Sequence, residues 1–215
     1  MAEQRLQSKF TDMNSIILAS ISDEAGNLLR DVTVEDYTAM LTSNPPAKQK
    51  IAEMIYHRLY GRYIKPFLFN DDQYKKHYKH GFSMMASACL LVEALESFYQ
   101  GLEVSPRGKN KQMFVSFFKR ETAFRNLNGG EFYDHVRCGI LHQAETTGGF
   151  TISRDEEDSL FDSSTKRINA HKFLVCLKES LKRYEKLLLE STWDSEIWDN
   201  FRRKMRFIID NCAKP

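Results

Sequence analysis

The stretch FSMMASACLLVEALESF, residues 82–98, decides most of what this chain can become. From about 82 to 100 the helix-compatible residues are apolar on every face, apart from Glu93, Glu96 and small polar side chains. A helix with one apolar stripe can lie on a surface, but a helix apolar all round has to be enclosed. The two glutamates break the run short of the roughly 20 apolar residues a bilayer span needs. The enclosing material is therefore expected to be other helices of the same chain, with 82–100 at the centre of a bundle.

Suitable partners stand on both sides of it. Between Lys48 and Tyr63 the apolar positions Ile51, Met54, Ile55, Leu59 and Tyr63 follow steps of three and four, an amphipathic helix stopped near Pro66. A longer stripe runs through Phe173, Leu174, Leu177, Leu181, Tyr184, Leu187 and Leu188, with Asn169 or Thr165 as its cap, and a last helix covers 194–212. QMFVSFFKRETAF reads as helix, although its aromatics and Val leave a strand open. GGFTISRDEEDSLFD reads as a short hairpin in which Phe150 and Ile152 alternate with polar residues after Gly148 and Gly149 end the preceding helix. Residues 1–46 are harder to type. SIILASIS fits a strand or the apolar side of a helix, DEAGN is a turn, and TVED is a capping box with Asp in place of Glu. Pro45 and Pro46 mark a boundary between this N-terminal extension and a helical domain over 47–215. The expected fold class is all-α, a helical bundle with a short β-hairpin.

Cys89, Cys138, Cys176 and Cys212 lie far apart without a C-x-x-C pair, which predicts free thiols in a reducing compartment rather than a disulfide framework. MAEQRLQSKF has no apolar run behind a basic start. These features predict a soluble, cytoplasmic chain with no membrane partner.

A net charge of +2 conceals two basic regions. Residues 48–80 carry eight Lys and Arg against three acidic residues, and 107–125 carry six against one. Such clusters suit a phosphodiester backbone as well as plain solvation. Lys75, Lys76, Lys79, Lys109, Lys111 and Arg120 are the candidate RNA contacts, with Tyr74 and Tyr78 as rings on which bases can stack. Tyr56, Tyr60 and Tyr63 share a helical stripe and read as core edge.

The chemistry concentrates in FYDHVRCGILHQAETTGGF, residues 132–150, where Arg137 and His142 flank the apolar CGIL. RNA brings its own nucleophile, the 2′-hydroxyl. A cleaving protein therefore needs a general base or acid, which a histidine supplies, and a cation for the charge growing on the phosphoryl oxygens, which a guanidinium fork supplies. Five residues on an ideal helix turn through about 140°, so the pair converges only through a helix end, a bend near Gly139, the length of Arg137, or a second copy of the chain. The bland alternative pairs Arg137 with Glu93 or Glu96 as a structural bridge and lets His142 bond Gln143, Glu145 or backbone. Cys138 and His142, four apart, form a rival thiol dyad without an evident oxyanion loop. His77, His80, His135 and Asp134 lack a recognised metal spacing, so no metal and no cofactor is expected.

Arg137-Cys-Gly-Ile-Leu-His142 is an R-x4-H pattern on a helix of a predicted bundle, and it resembles the signature of the HEPN superfamily. VEALES on the central helix, the long later helix and the glycines after the motif extend the resemblance over roughly residues 48–190. Cys138 stands where many members have a polar residue. The resemblance implies a HEPN-like bundle, a metal-independent endoribonuclease leaving 2′,3′-cyclic phosphate ends, and a homodimer that brings two motifs together. Arg137 and His142 would be catalytic, with Glu93 or Glu96 orienting the arginine. It further implies a toxin or antiviral defence role, partnered by an antitoxin or other defence protein. Other members keep the fold as non-catalytic nucleic-acid-binding or assembly modules.

Overall fold

Around the apolar segment the chain closes a bundle. The computed structural model describes residues 13–23, 27–67, 80–104 and 108–212, and over these the protein is mostly helical with two small sheets. The elements in order are β1 (Ile17–Ser22), β2 (Leu28–Thr33), α1 (Val34–Thr42), α2 (Lys48–Tyr63) and α3 (Gly81–Gln100). There follow α4 (Asn110–Arg120) and α5, a composite of Gly129–Phe132, a π turn over Tyr133–Arg137, and Cys138–Gln143. The short strands β3 (Thr151–Ser153), β4 (Phe161–Asp162) and β5 (Arg167–Asn169) precede α6 (Ala170–Glu190) and α7 (Glu196–Cys212).

The apolar segment is α3, and α2, α4, α6 and α7 all pack on it. Its bounds are close to the expected 82–100, but the expectation that the two glutamates leave it short of a membrane span does not hold. It runs for 20 residues and is long and apolar enough to cross a membrane by length and composition, yet 61% of its apolar window is buried in protein. Burial of Met84, Met85, Ala88, Cys89, Leu91, Val92, Leu95 and Phe98 explains its composition as that of a core helix. Gly101 ends it in the left-handed region (φ 63°), where α7 comes so close that an added Cβ would lie 2.6 Å from Asn200 Oδ1. Asn200 Nδ2 in turn donates to the Tyr99 carbonyl (2.8 Å), bolting α7 to the end of α3.

The aromatic-rich segment is helical because Phe114, Phe117 and Phe118, at steps of three and one, share a buried face with Phe124, Phe132 and Phe173. SIILASIS is strand β1, and its partner β2 went unmarked in the sequence. Residues 28–31 are exposed, so LLRDVT shows no inward alternation until Val32. The element after the motif is not a hairpin. It is a three-stranded sheet in the order β3-β5-β4, with β3 parallel and β4 antiparallel to β5. The TVED box forms at the start of α1: Asp36 N–H donates to Thr33 Oγ1, and Thr33 N–H to Asp36 Oδ2. Asn169 caps α6 by accepting from Lys172 N–H (2.9 Å). Leu18, Val32 and Tyr37 share one apolar core with α2 to α7, Tyr37 meeting Phe201 edge-on, so packing crosses the Pro45-Pro46 boundary.

Candidate functional site

Asn128 opens α5 by accepting from the Gly130 and Glu131 amides. The backbone then widens into a π turn over Tyr133–Arg137 before returning to α geometry at Cys138. A π turn bonds its backbone less well than an α turn, so it persists where side chains have to be carried out of α register, frequently at functional sites. Here Phe132 and Val136 stay in the core while Tyr133 and Arg137 emerge together beside α3.

Arg137 is the hub. Its Nε donates to Glu93 Oε1 (2.7 Å), Nη1 lies 3.2 Å from His142 Nε2, and the guanidinium carbon sits 5.5 Å from the Tyr133 ring centre. Arg137 is the last residue of the π turn and 138–142 is ordinary α-helix, so the motif spans its five residues by the reach of the arginine from the junction of the two. A guanidinium has only donors, so His142 Nε2 accepts and the ring proton belongs on Nδ1. The arginine and glutamate side chains are each only 14% exposed, whereas His142 is open to solvent. Burial on its own would lower the pKa of Arg137. The Glu93 hydrogen bond and charge, helped by Tyr133 and Cys138, more than offset it and hold the group above its ordinary value. Arg137 is thus a permanent, oriented cation with a histidine lone pair beside it.

Of the two candidate carboxylates, Glu93 meets Arg137. Glu96, fully buried, binds Arg120 and Gln100 instead. That contact also removes Arg120 from the set of free RNA contacts, since its head stacks 3.7 Å from the Tyr99 ring centre. Lys111 pairs with Asp134 on the motif helix, Lys109 is exposed just before α4, and Lys75, Lys76 and Lys79, with Tyr74, His77 and Tyr78, lie outside the described residues. Cys138 turns to the Tyr133 hydroxyl, whose pKa is raised by burial first and by that hydrogen bond second. His142 faces Arg137, so the thiol dyad is not assembled. Among the described residues no three His, Cys, Asp or Glu side chains gather as metal ligands. Tyr133 is the site residue sequence reasoning missed. Its signal was the spacing of four to Arg137, which places both on one helix face.

The helix ends at Ala144 in the left-handed region (φ 57°), earlier than Gly148 and Gly149. The chain then doubles back across α5. A Cβ on Gly139 would lie 2.4 Å from the Glu145 carbonyl oxygen, so the crossing requires glycine there. Thr147 N–H donates to the His135 carbonyl (2.9 Å), and Thr147 Oγ1 lies 3.0 Å from His135 Nδ1. Thr146 Oγ1 donates to the Phe150 carbonyl (2.6 Å). The Thr-Thr-Gly-Gly run is therefore a strap that fixes the helix end carrying His142. Comparison with protein-family models, with curated proteins and with solved structures finds no match to this chain.

Proposed function

We propose that this chain is a HEPN-like, metal-independent endoribonuclease acting in the cytoplasm, with Arg137 and His142 as its catalytic residues. The observation that carries the reading is the Arg137–His142 contact on an exposed helix end, with Glu93 fixing the arginine from behind. A phosphate docking on the free edge of the guanidinium takes over the donor now held by His142. This releases the Nε2 lone pair to accept the proton of the adjacent 2′-hydroxyl. The oxygen attacks phosphorus, the guanidinium stabilises the extra charge, and the P–O5′ bond breaks. The 5′-oxygen takes a proton from water and the His142 imidazolium returns its own to solvent, giving 2′,3′-cyclic phosphate and 5′-hydroxyl ends. Tyr133 and Glu93 position the arginine.

The pair lies on an open surface, and two exposed leucines flank it. Leu90 (44% exposed) is one turn before Glu93, and Leu141 (37% exposed) directly precedes His142. Apolar residues around a half-open polar site favour a homodimer in which each copy completes the other's site. An antitoxin or other defence protein would cover the same face.

The test is cleavage of a mixed RNA pool in EDTA. Wild type should release cyclic-phosphate ends with a specific activity that rises with protein concentration. His142→Ala and Arg137→Ala should each lose about 10²–10⁴-fold, the range for a positioned acid–base or charge-stabilising group, while Cys138→Ala stays active. The second reading, a non-catalytic HEPN-like binding or assembly module, rests on the enclosure of the Arg137–Glu93 bridge. It requires no cleavage by wild type and a lowered Tm in Arg137→Ala.

A further inference from the structure

A cleft of about 820 Å³ opens between β1, α2 and α6, and the cleavage reading makes no use of it. Arg58, Arg62, Lys65, Lys178 and Lys182 line it together with one carboxylate, Asp23. Lys182 pairs with Glu179, and among the described residues no carboxylate forms an ion pair with any of the other four cations. Arg58 is the telling one. Its side chain is buried, with the residue 7% exposed, and among the described residues its one side-chain hydrogen bond runs from Nη1 to the Leu18 carbonyl of β1. A guanidinium has five donors, and none of the Arg58 nitrogens is both buried and unpartnered, so donors beyond the one on Leu18 are open for an anion in the cleft. Burial first, then the neighbouring Arg62, push its pKa down to about 10.

The other end of the cleft is aromatic. Tyr56 and Tyr60 stack on each other with ring centres 5.5 Å apart and planes 11° apart, and Lys178 lies 5.4 Å from the Tyr60 ring centre. Charges at this end are mixed, Lys178 and Lys182 standing with Glu179 and Glu185 around the rings. Between the two ends the floor is Gly61, where an added Cβ would meet nothing within 4 Å. On the helical wheel of α2, Arg58 and Arg62 form one edge of the arc and Tyr56 and Tyr60 the other, and Lys65 stands in the turn that follows the helix. The site is thus a cationic end and a flat-ring end joined by an open floor, in a volume typical of small-ligand sites.

We infer that this cleft binds a nucleotide, its phosphate on Arg58, Arg62 and Lys65 and its base against the Tyr56–Tyr60 pair. The nucleotide is either free or one residue of a single strand, since both present the same chemistry. The inference stands apart from the cleavage reading, since neither Arg137 nor His142 lines this cleft.

Calorimetric titration of the full chain with adenosine 5′-monophosphate tests it. Binding is expected below millimolar, with adenosine and inorganic phosphate each weaker by about tenfold or more. Gly61→Trp, which fills the floor from a helical position without removing a charge, and Arg62→Glu should each weaken binding by about tenfold or more while Tm stays unchanged or rises. A single-stranded DNA decamer that binds within about tenfold of the mononucleotide assigns the site to a free nucleotide, and a tighter decamer assigns it to a strand. Absence of binding by both probes at millimolar concentration overturns the inference. So does binding that Gly61→Trp leaves intact, or inorganic phosphate binding as well as the nucleotide.

Discussion

Glu93 is the residue whose replacement separates a functional bridge from a merely structural one. Its carboxylate and the Arg137 guanidinium are both largely withdrawn from water. Removing one partner strands the other, and Glu93→Ala should therefore cost about 3 kcal/mol, the lower end of the range for broken buried pairs. Replacing both, as Glu93→Ala with Arg137→Met, should recover much of that stability in chemical denaturation while RNA cleavage stays lost. Full destabilisation in the double variant would mean the pair is not coupled. The residue types at this site were legible in the sequence, because an arginine and a histidine around CGIL invite a chemical reading whatever their geometry. The choice between Glu93 and Glu96 was not. Three residues apart, they stand only about 60° apart around α3, and the decision falls to Arg120 on another helix, which claims Glu96. Tyr133 was overlooked because an aromatic at helical spacing reads as core.

At the scale of elements, long helices were legible and the pairing of short strands was not. α2 and α6 each bury a stripe long enough for a 3.6-residue period to register, and α3 declares itself by being apolar all round. β3 and β5 have three residues and β4 two; the alternation of Phe150 and Ile152 signalled extended chain, but the pairing order depends on where the chain returns rather than on any local signal. Capping is local, which is why TVED was readable. Its carboxylate also has a pH signature. The Thr33 backbone hydrogen bond, followed by the Thr33 side-chain bond, holds the Asp36 pKa below its ordinary value of 3.8. A carboxyl whose folded pKa is depressed contributes stability above the unfolded value and loses it as pH falls through the folded one. Acid unfolding of wild type should therefore carry a component below about pH 4 that Asp36→Asn lacks. Thr33→Ala should cost about 1 kcal/mol at neutral pH, as lost N-caps do. Equal acid sensitivity in Asp36→Asn would show that the box does not persist in solution.

At the scale of the whole molecule, the Pro45-Pro46 pair suggested a division that the core does not respect, because Tyr37 and Phe201 come from opposite ends of the chain and meet. The central placement of α3 was legible from composition alone. That placement has a consequence in time. Glu93 rides on the most enclosed helix, whereas His142 sits two residues before the left-handed end of α5. Deuterium uptake should follow the same order: amides near Glu93 open only with global unfolding, and those near His142 through cheap local fraying. If the amides of 140–143 exchange as slowly as those of α3, the strap over Gly139 holds more firmly than its few hydrogen bonds indicate. The candidate pair thus joins the slowest clock in the molecule to one of its fastest, and the arginine between them sets how often the histidine is in place.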